Sequence, residues 1–463
     1  MIIFDNTYAK LPERFFEENR PAAFRSPQLV QFNHELAQEL GMDVSDLDPE
    51  RLASIFSGQE ILPTSRPFSI AYAGFQFGHP VPQLGDGRAH LLGEMSGYDI
   101  QLKGSGRTRF SRGGDGRSAL GPVLREYIVS EALHALGVPT TRALCAVTTG
   151  EEVERQNGLE PGGIFTRVAK SHIRVGTFQY FMFQKDLEAL EILLNYTIER
   201  HYPEISGSIK EKALALITKL CEVQSDLLAK WSALGFIHGV MNTDNFSLGG
   251  FTIDLGPCAF MDEFSFNKVF SSIDRNGRYA FFNQTEIAKW NIVRFAECLL
   301  PLINPEPEKA IPEVQELLTA NFGQFDRKRI VAFGRKLGIR DYQDSDESII
   351  MDFLRYLEAE SLDFTWSFRN FPNLPQTPLL EHVLHRLKDR GADSNDLDSV
   401  NPLIIPRNHQ VEKAIREAYS GDYSHFHRML EAIRNPYVDR EEYREFATPP
   451  KPQERVFQTF CGT

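Results

Sequence analysis

The chain has 463 residues, of which 42% are hydrophobic and 24% are charged. This composition is typical of globular proteins and excludes a largely disordered chain. Its 50 Lys and Arg residues against 63 Asp and Glu residues give a net charge of −13. Proteins that bind nucleic-acid backbones need an extended basic face, so we expect no nucleic-acid partner.

The sequence also predicts a cellular compartment. It contains no apolar run near the roughly 18 residues that a membrane span needs. Its start, MIIFDNTYAKLPERFF, lacks the basic end and apolar core of a signal peptide. The five cysteines are widely spaced and include no C-x-x-C pair. These features predict a cytoplasmic protein with no membrane partner and no disulfide framework.

In chain order, residues 1–65 are predicted to be an N-terminal extension with short helices. The stretch PQLVQFNHELAQELG has its leucines and Phe32 at helical spacing and closes on Gly41, which predicts one helix there. Residues 66–170 contain β-forming runs such as FSIAYAGFQF, AHLLGEM, YDIQLK and GIFTRVA. One amphipathic stretch among them, PVLREYIVSEALHALG, predicts a helix.

Residues 171–463 are predicted to form a mostly helical part with a C-terminal extension. Long amphipathic stretches such as SIKEKALALITKLCEVQSDLLAKWSALG indicate helices. They are interrupted by FIHGVMNTDNFSLGGFTIDLG, in which Gly249 and Gly250 separate two short runs and predict a β-hairpin. A β-rich part followed by a helical part predicts an α+β fold in two lobes, rather than a doubly wound sheet.

Two Gly-rich segments in the β-rich part carry an unusual concentration of positive charge. Residues 101–118, QLKGSGRTRFSRGGDGRS, hold five basic residues against Asp115 alone. A second segment, GDGRAHLLGE, contains Gly85, Gly87 and Arg88 just before a strand. Glycines let the backbone approach a ligand, and guanidinium groups bind phosphate, so these segments predict a polyphosphate site. A solvated basic loop and an ordinary hairpin turn are the simpler interpretations.

The order of these elements is typical of a kinase-like nucleotide site. A Gly-rich hairpin precedes a strand ending in Lys103, and a helix follows. In that architecture the lysine pairs with a carboxylate on the helix. Glu126 and Glu131 are the candidates, and Glu126 is favoured because it lies nearer the Gly-rich loop.

The segment HGVMNTDNF, followed by FTIDLG, has the spacing of a kinase catalytic loop and metal-binding triplet. Asn245 and Asp254 supply the amide and carboxylate oxygens that suit Mg²⁺ or Mn²⁺ beside phosphates. Val240 occupies the position of the catalytic Asp of ordinary kinases. Either this is an inactive kinase or the chemistry has moved, in which case Asp244 is the natural replacement base or metal-shell residue.

Arg167 and Arg174 lie across a predicted strand-to-helix turn. Isolated arginines at such positions are usually surface residues. Beside a phosphate site they become candidate phosphate clamps.

Together these motifs resemble the selenoprotein O family, protein adenylyltransferases on a protein-kinase-like fold. The resemblance runs over most of the chain, including GFQFGHPVPQLGDGRAHLLGE, YDIQLKGSGRTRFSRGGDGRS, HGVMNTDNFSL, TIDLGPCAFMDEF and RNHQVEKAI. It is specific because the missing kinase Asp belongs to the family's pattern. It implies that ATP binds flipped relative to kinases and that AMP passes to protein hydroxyl groups.

The resemblance also implies roles for individual residues. Asn245 and Asp254 would hold the metal, Asp244 would accept the proton, and Lys103 would pair with Glu126. A larger set would hold the nucleotide: Gly85, Gly87, Arg88, Lys103, Asp115, Gly116, Arg167, Arg174 and Asp254.

Many members of that family carry a redox-active Cys or selenocysteine near the C-terminus. Cys461 fits this position, and Cys258 is one candidate partner, although the sequence does not assign the pair. Three other activities share these motifs: an active kinase, a nucleotide-binding pseudokinase, and a uridylyltransferase that uses UTP. The attached group on a protein substrate would distinguish them.

Overall fold

The computed structural model describes residues 2–155, 158–393, 395 and 397–460. Strands are concentrated before residue 170 and helices after it, which confirms the predicted α+β class. The strands are β1 (Phe16–Glu18), β2 (Gln28–Phe32), β3 (Phe68–Ile70), β4 (Gly74–Gln76), β5 (His79–Val81), β6 (Ala89–Met95), β7 (Tyr98–Lys103), β8 (Ser118–Ala119), β9 (Arg142–Arg155), β10 (Gly158–Ala169), β11 (Phe236–Ile237) and β12 (Ala259–Phe260).

Fourteen α-helices lie in the described part of the chain, three of them before β10 and the others after it, where they form the larger part of the chain. They are α1 (His34–Glu39), α2 (Pro49–Ser57), α3 (Leu120–Ala135), α4 (Val175–Gln184), α5 (Leu187–His201), α6 (Ile209–Leu234), α7 (Gln284–Ile303), α8 (Pro307–Lys336), α9 (Asp346–Ala359), α10 (Phe364–Asn370), α11 (Pro378–Asp389), α12 (Asn408–Tyr419), α13 (Ser424–Ile433) and α14 (Arg444–Ala447).

One large antiparallel sheet holds most of the strands, in the order β1-β3-β6-β7-β10-β9-β2, with β8 also paired to β10. Its centre places Lys103 of β7 opposite Phe165 of β10, and Gln101 opposite Arg167. Side chains alternate along a strand, so Gln101 and Lys103 point to the same face. Two small sheets, β4-β5 and β11-β12, lie outside this one.

Helix α3 lies against the sheet and carries Glu126 towards β7. It has Pro122 in its first turn and ends just before Gly137, as the sequence predicts. Its buried leucine, isoleucine and tyrosine side chains share one core cluster with β9, β10, α12 and α13. Packing on both sides explains why nearly the whole helix is buried, including Glu126.

The predicted helix over PQLVQFNHELAQELG is wrong in its first half. Gln28–Phe32 is strand β2, paired with β9, and the helix α1 begins only at His34. The Asn33 side chain accepts a hydrogen bond from the Leu36 N–H group at 3.0 Å and so sets the start of the helix. Leu29 and Phe32 fit a helical spacing, but the β9 edge offers them a partner that the local pattern does not reveal.

The predicted hairpin at Gly249 and Gly250 is also wrong. The two runs turn there but pair with other segments: Ser247 bridges to Arg174, and Thr252 bridges to Thr140. Each run therefore pairs with a segment next to the large sheet, because Arg174 follows β10 and Thr140 precedes β9.

No helix in the described part of the chain is long and apolar enough to cross a membrane. The division at residues 65 and 170 stays a prediction. The large sheet takes strands from both sides of residue 65.

Candidate functional site

The centre of the candidate site is the Asp254 carboxylate, which contacts three cations. Its Oδ1 accepts hydrogen bonds from Lys103 Nζ at 2.9 Å and Arg167 Nη1 at 2.6 Å, and Oδ2 accepts one from Arg174 Nη1 at 2.9 Å. Burial alone would raise the pKa of Asp254, but the three cations together hold it well below its usual value. Asp254 also has φ +61°, a backbone conformation that is uncommon for a non-glycine residue and that aspartate adopts more readily than most.

These cations come from three separate elements. Lys103 ends β7, Arg167 lies on the neighbouring β10, and Arg174 directly precedes α4. Lys103 Nζ also donates to Glu126 Oε2 at 2.7 Å. Glu131, the other carboxylate considered from the sequence, instead pairs with Arg142 at 2.9 Å.

Three residues that the sequence analysis missed also belong to this network. Arg167 Nε donates to Gln101 Oε1 at 2.7 Å, and Gln101 Nε2 donates to Asp86 Oδ2 at 2.9 Å. The Arg174 guanidinium lies 4.5 Å from the centre of the Tyr72 ring. Two signals could have indicated part of this set: Asp86 sits inside the Gly-Asp-Gly-Arg turn, and Gln101 is two residues before Lys103 on the same strand face.

Asp244 lies in a short 3₁₀ turn, Thr243–Asn245, and is joined to the Asp254 cluster through Arg174. Arg174 Nη1 donates to the Asp244 backbone carbonyl at 2.8 Å. The Asp244 Oδ1 atom is buried and has no hydrogen-bond partner in the described structure. Burial raises the pKa of Asp244 to about 6. Such a carboxylate oxygen can accept a proton from a ligand that reaches it.

The loop around Asp244 is held by backbone contacts of its neighbours. Asn245 Nδ2 donates to the Val240 carbonyl at 3.0 Å, which leaves the Asn245 side-chain oxygen for another contact. His238 Nε2 lies 2.8 Å from the Ile253 carbonyl, next to Asp254, and burial lowers the pKa of this histidine. A neutral His238 with its Nε2–H group donating therefore ties the Asp244 loop to the Asp254 segment.

The Gly-rich segments line one open cavity of about 740 Å³ beside this cluster. Gly85 packs against Phe110, where a Cβ atom would lie 2.2 Å from the ring, and Gly116 packs equally tightly against the backbone of Gly106. No larger residue fits at either position, so the glycines set the shape of the cavity. Other lining residues are Tyr72, Gly87, Arg88, Arg107, Arg112, Asp115, Arg117 and Arg155.

Two of these residues connect the cavity to the Asp254 cluster. Tyr72 lines the cavity and stacks on Arg174. Arg88 lines both the cavity and a small adjacent space that Lys103, Glu126 and Gly256 also line. Asp115 pairs with Arg155 at 3.0 Å and accepts from the Arg117 N–H group at 2.9 Å, so it also orders the cavity wall.

The protein alone does not build a metal cage here. Among the described residues, no group of three or more His, Cys, Asp or Glu side chains is arranged to hold a metal ion. However, Asp254 Oδ2 accepts only from Arg174, and the Asn245 oxygen is free of the Val240 contact. One carboxylate and one amide oxygen suit Mg²⁺ or Mn²⁺ when phosphates and water complete the shell. The donor set therefore fits a metal that arrives with a nucleotide.

The four cysteines among the described residues contribute no ligand to this cluster. Cys145, Cys221, Cys258 and Cys298 are buried free thiols. Burial raises the pKa of Cys258 to about 12, so this thiol is poorly reactive in the described conformation. Cys461 lies outside the described residues, and its pairing stays a prediction.

Comparison with known proteins identifies close relatives. A family model described as protein adenylyltransferase SelO matches residues 1–388. Proteins named protein nucleotidyltransferase YdiU are similar over essentially the full length. That of Agrobacterium fabrum is 49% identical over 489 residues, covering 100% of both chains. That of Rhizobium rhizogenes is 47% identical over 490 residues, covering 100% of this chain and 97% of the relative.

Proposed function

This chain belongs to the SelO family of protein adenylyltransferases, and on that premise we propose that it transfers AMP from ATP to hydroxyl side chains of proteins. We further propose a protein-kinase-like arrangement, in which the large sheet with α3 is the smaller lobe and the helices after β10 are the larger one. The nucleotide would lie between them, against Lys103, Arg167 and Arg174. The location in the cytoplasm stays part of this proposal.

One observation carries the assignment of the site. The Arg174 Nη1 atom contacts both the Asp254 carboxylate and the Asp244 backbone, at 2.9 and 2.8 Å. A single guanidinium thus fixes the position of the phosphate-binding cluster relative to the unpartnered Asp244 Oδ1 atom. Group transfer needs this relation, because the base must face the hydroxyl that attacks the α-phosphorus while the cations stabilise the charge of the departing phosphates.

The basic cluster would bind the β- and γ-phosphates. Arg167 and Arg174 are buried and the Lys103 side chain is 11% exposed, so their charges are poorly screened by water. The cavity residues Gly85, Gly87, Arg88, Asp115 and Gly116 would hold the rest of the nucleotide. With the terminal phosphates held this way, the α-phosphorus would face Asp244, as the flipped orientation of ATP requires.

Asn245 and Asp254 would hold Mg²⁺ or Mn²⁺. When bound, the metal would supply charge neutralisation on the phosphate oxygens.

Asp244 would position the acceptor hydroxyl and receive its proton on Oδ1. The hydroxyl oxygen forms a bond to the α-phosphorus as the bond from that phosphorus to the bridging oxygen breaks. Pyrophosphate leaves with the electron pair of that bond, and the three cations stabilise its charge. Val240, at the position of the usual kinase base, cannot accept a proton.

The test is to incubate the protein with a protein acceptor and ATP or UTP, and to measure the attached group by mass spectrometry. We expect attached AMP, and we expect Asp244→Asn to lower the rate at least a hundredfold, as loss of a general base typically does. Asp226→Asn is the matched control, because Asp226 pairs with Lys328 away from this cluster. Attached phosphate or UMP, or full activity of Asp244→Asn, would contradict the proposal.

A further inference from the structure

The β4-β5 hairpin is attached directly to the loop that carries Asp244. The Phe75 N–H group donates to Thr243 Oγ1 at 2.7 Å, and the Phe77 N–H group donates to Asn242 Oδ1 at 3.0 Å. At Gly74 a Cβ atom would lie 2.6 Å from Asp244 Oδ1. The hairpin therefore forms one wall of the space in front of the Asp244 carboxylate.

Arg278 lies against the tip of this hairpin. A Cβ atom on Gly78 would lie 3.7–3.8 Å from the Arg278 guanidinium, so the guanidinium lies next to the hairpin tip. The guanidinium carbon is 4.8 Å from the centre of the Trp290 ring. The adjacent Tyr279 hydroxyl donates to Asn242 Oδ1, the same oxygen that binds the hairpin. Arg278 is thus fixed beside the wall of the Asp244 site.

Two nitrogens of this guanidinium, Nε and Nη2, are buried and have no hydrogen-bond acceptor in the described structure. Arg294 lies 5.4 Å from the same Trp290 ring and differs in its charge partner: its Nη2 pairs with Glu297 at 2.5 Å, although its Nε also has no hydrogen-bond partner in the described structure. Of the two arginines on this tryptophan, only Arg294 has a carboxylate partner among the described residues. Buried donors without acceptors are costly, and a guanidinium beside the candidate site that has no carboxylate partner among the described residues is available to a carboxylate that reaches it.

We propose that Arg278 binds a carboxylate of the acceptor protein, and that acceptors therefore carry an Asp or Glu close to the modified hydroxyl. This inference rests on the proposed function. The planar guanidinium can bind a carboxylate through two parallel hydrogen bonds, which fixes orientation as well as position. Because the hairpin joins Arg278 to the Asp244 loop, a bound acidic residue would place a neighbouring hydroxyl in front of Asp244.

The test uses synthetic peptides with one tyrosine, serine or threonine and with Glu, Gln or Lys placed in turn at each flanking position. AMP transfer from labelled ATP is measured for each peptide, with kcat and KM determined separately. For the wild type we expect Glu to be preferred over Gln at one or more positions by about tenfold, mainly through KM. Arg278→Gln should reduce this preference to near one, and Arg278→Lys should restore part of it.

Arg275→Gln is the matched control, because Arg275 is an exposed arginine of the same loop. It should retain the preference for Glu. Arg278→Glu should favour Lys-flanked peptides, a reversal that a purely structural role of Arg278 does not produce. ATP affinity, measured by calorimetry, should be the same in the wild type and in Arg278→Gln.

The outcomes separate this inference from the proposed function. If the wild type transfers AMP with no preference for Glu, or if Arg278→Gln keeps the preference, the role of Arg278 is wrong while the activity stands. Weaker ATP binding by Arg278→Gln would assign Arg278 to the nucleotide and would also overturn the inference. If the wild type transfers no AMP to any peptide or protein, the proposed function fails and this inference fails with it.

Discussion

Two buried ionic clusters in this molecule differ in how completely their hydrogen bonds are formed. Around Arg407, Nη1 contacts Asp262 and Asp363 at 2.8 Å each, Nη2 contacts Asp363 at 3.1 Å, and Nε donates to the Ala447 carbonyl at 3.1 Å. Around Asp254, Nε and Nη2 of Arg174 have no hydrogen-bond partner, and neither does Oε1 of Glu126. Both clusters are buried and charged, but only the first is complete.

The difference distinguishes the Arg407 cluster, which is structural, from the Asp254 cluster, which has donors available to a ligand. Arg407 joins the segment after β12 to the N-termini of α10 and α12, and every nitrogen of its guanidinium has an acceptor in the described structure. The Asp254 cluster keeps unused donors next to an open cavity. Buried polar groups are normally satisfied, so the unused ones are informative about function.

The largest effect should come from breaking the complete cluster. Arg407→Met leaves Asp262 and Asp363 without their buried cation, and we expect the free energy of unfolding to fall by about 3–5 kcal/mol. Chemical denaturation measures this. Arg340→Met is the control, because Arg340 is exposed and pairs with Asp393 at the surface, so its loss should cost less than about 1 kcal/mol. Equal effects of the two variants would remove the distinction between the clusters.

A further buried cation, Lys336, sharpens the comparison because it lies outside both clusters and has no counterion in the described part of the chain. Lys336 is 2% exposed, its ammonium lies 4.5 Å from the centre of the Phe368 ring, and it has no ion pair within the described residues. Burial lowers the pKa of Lys336 to about 7. The unfolded chain therefore binds this proton below about pH 10, whereas the folded protein binds it only below about pH 7, so stability is lost as the pH falls from about 10 to about 7.

Lys336→Met should consequently stabilise the protein, by about 2–4 kcal/mol at pH 7 and by much less at pH 10. Thermal or chemical unfolding at both pH values measures the difference. Lys388→Met, an exposed lysine on α11, should show no such dependence on pH. A variant that is less stable than the wild type at pH 7 would mean that the contact with Phe368 outweighs the cost of burying the charge.

At the incomplete cluster we expect a smaller effect on stability and a clear effect on binding. Arg174→Met should weaken ATP and ADP binding about tenfold to a hundredfold, because one charge-assisted contact to phosphate contributes about 1.5–3 kcal/mol. AMP binding should change little, since AMP lacks the β- and γ-phosphates. Calorimetry with the three nucleotides measures this, and equal losses for AMP and ATP would show that the cluster does not hold the terminal phosphates.

The sequence predicted much of this molecule because its strongest patterns are local. The strands β6, β7 and β10 and the long helices follow from sequence patterns, and the resemblance to a family placed Lys103, Arg167, Arg174 and Asp254 in one site. Strand β2 was not predictable, because its pairing with β9 joins residues more than a hundred positions apart. The positions of Tyr72 beside Arg174 and of Arg278 beside Gly78 bring distant segments together, which no local pattern records.

The large sheet has its first two strands at opposite ends: β1 at one edge beside β3, and β2 at the other beside β9. During synthesis, residues 16–32 leave the ribosome early, but β9 begins only at Arg142. At the usual elongation rate this delay is on the order of ten seconds, during which β2 has no partner. Both edges of the sheet are thus formed by the strands that are synthesised first. Until β9 has been synthesised, β2 exposes unpaired backbone N–H and C=O groups, and such strands promote aggregation.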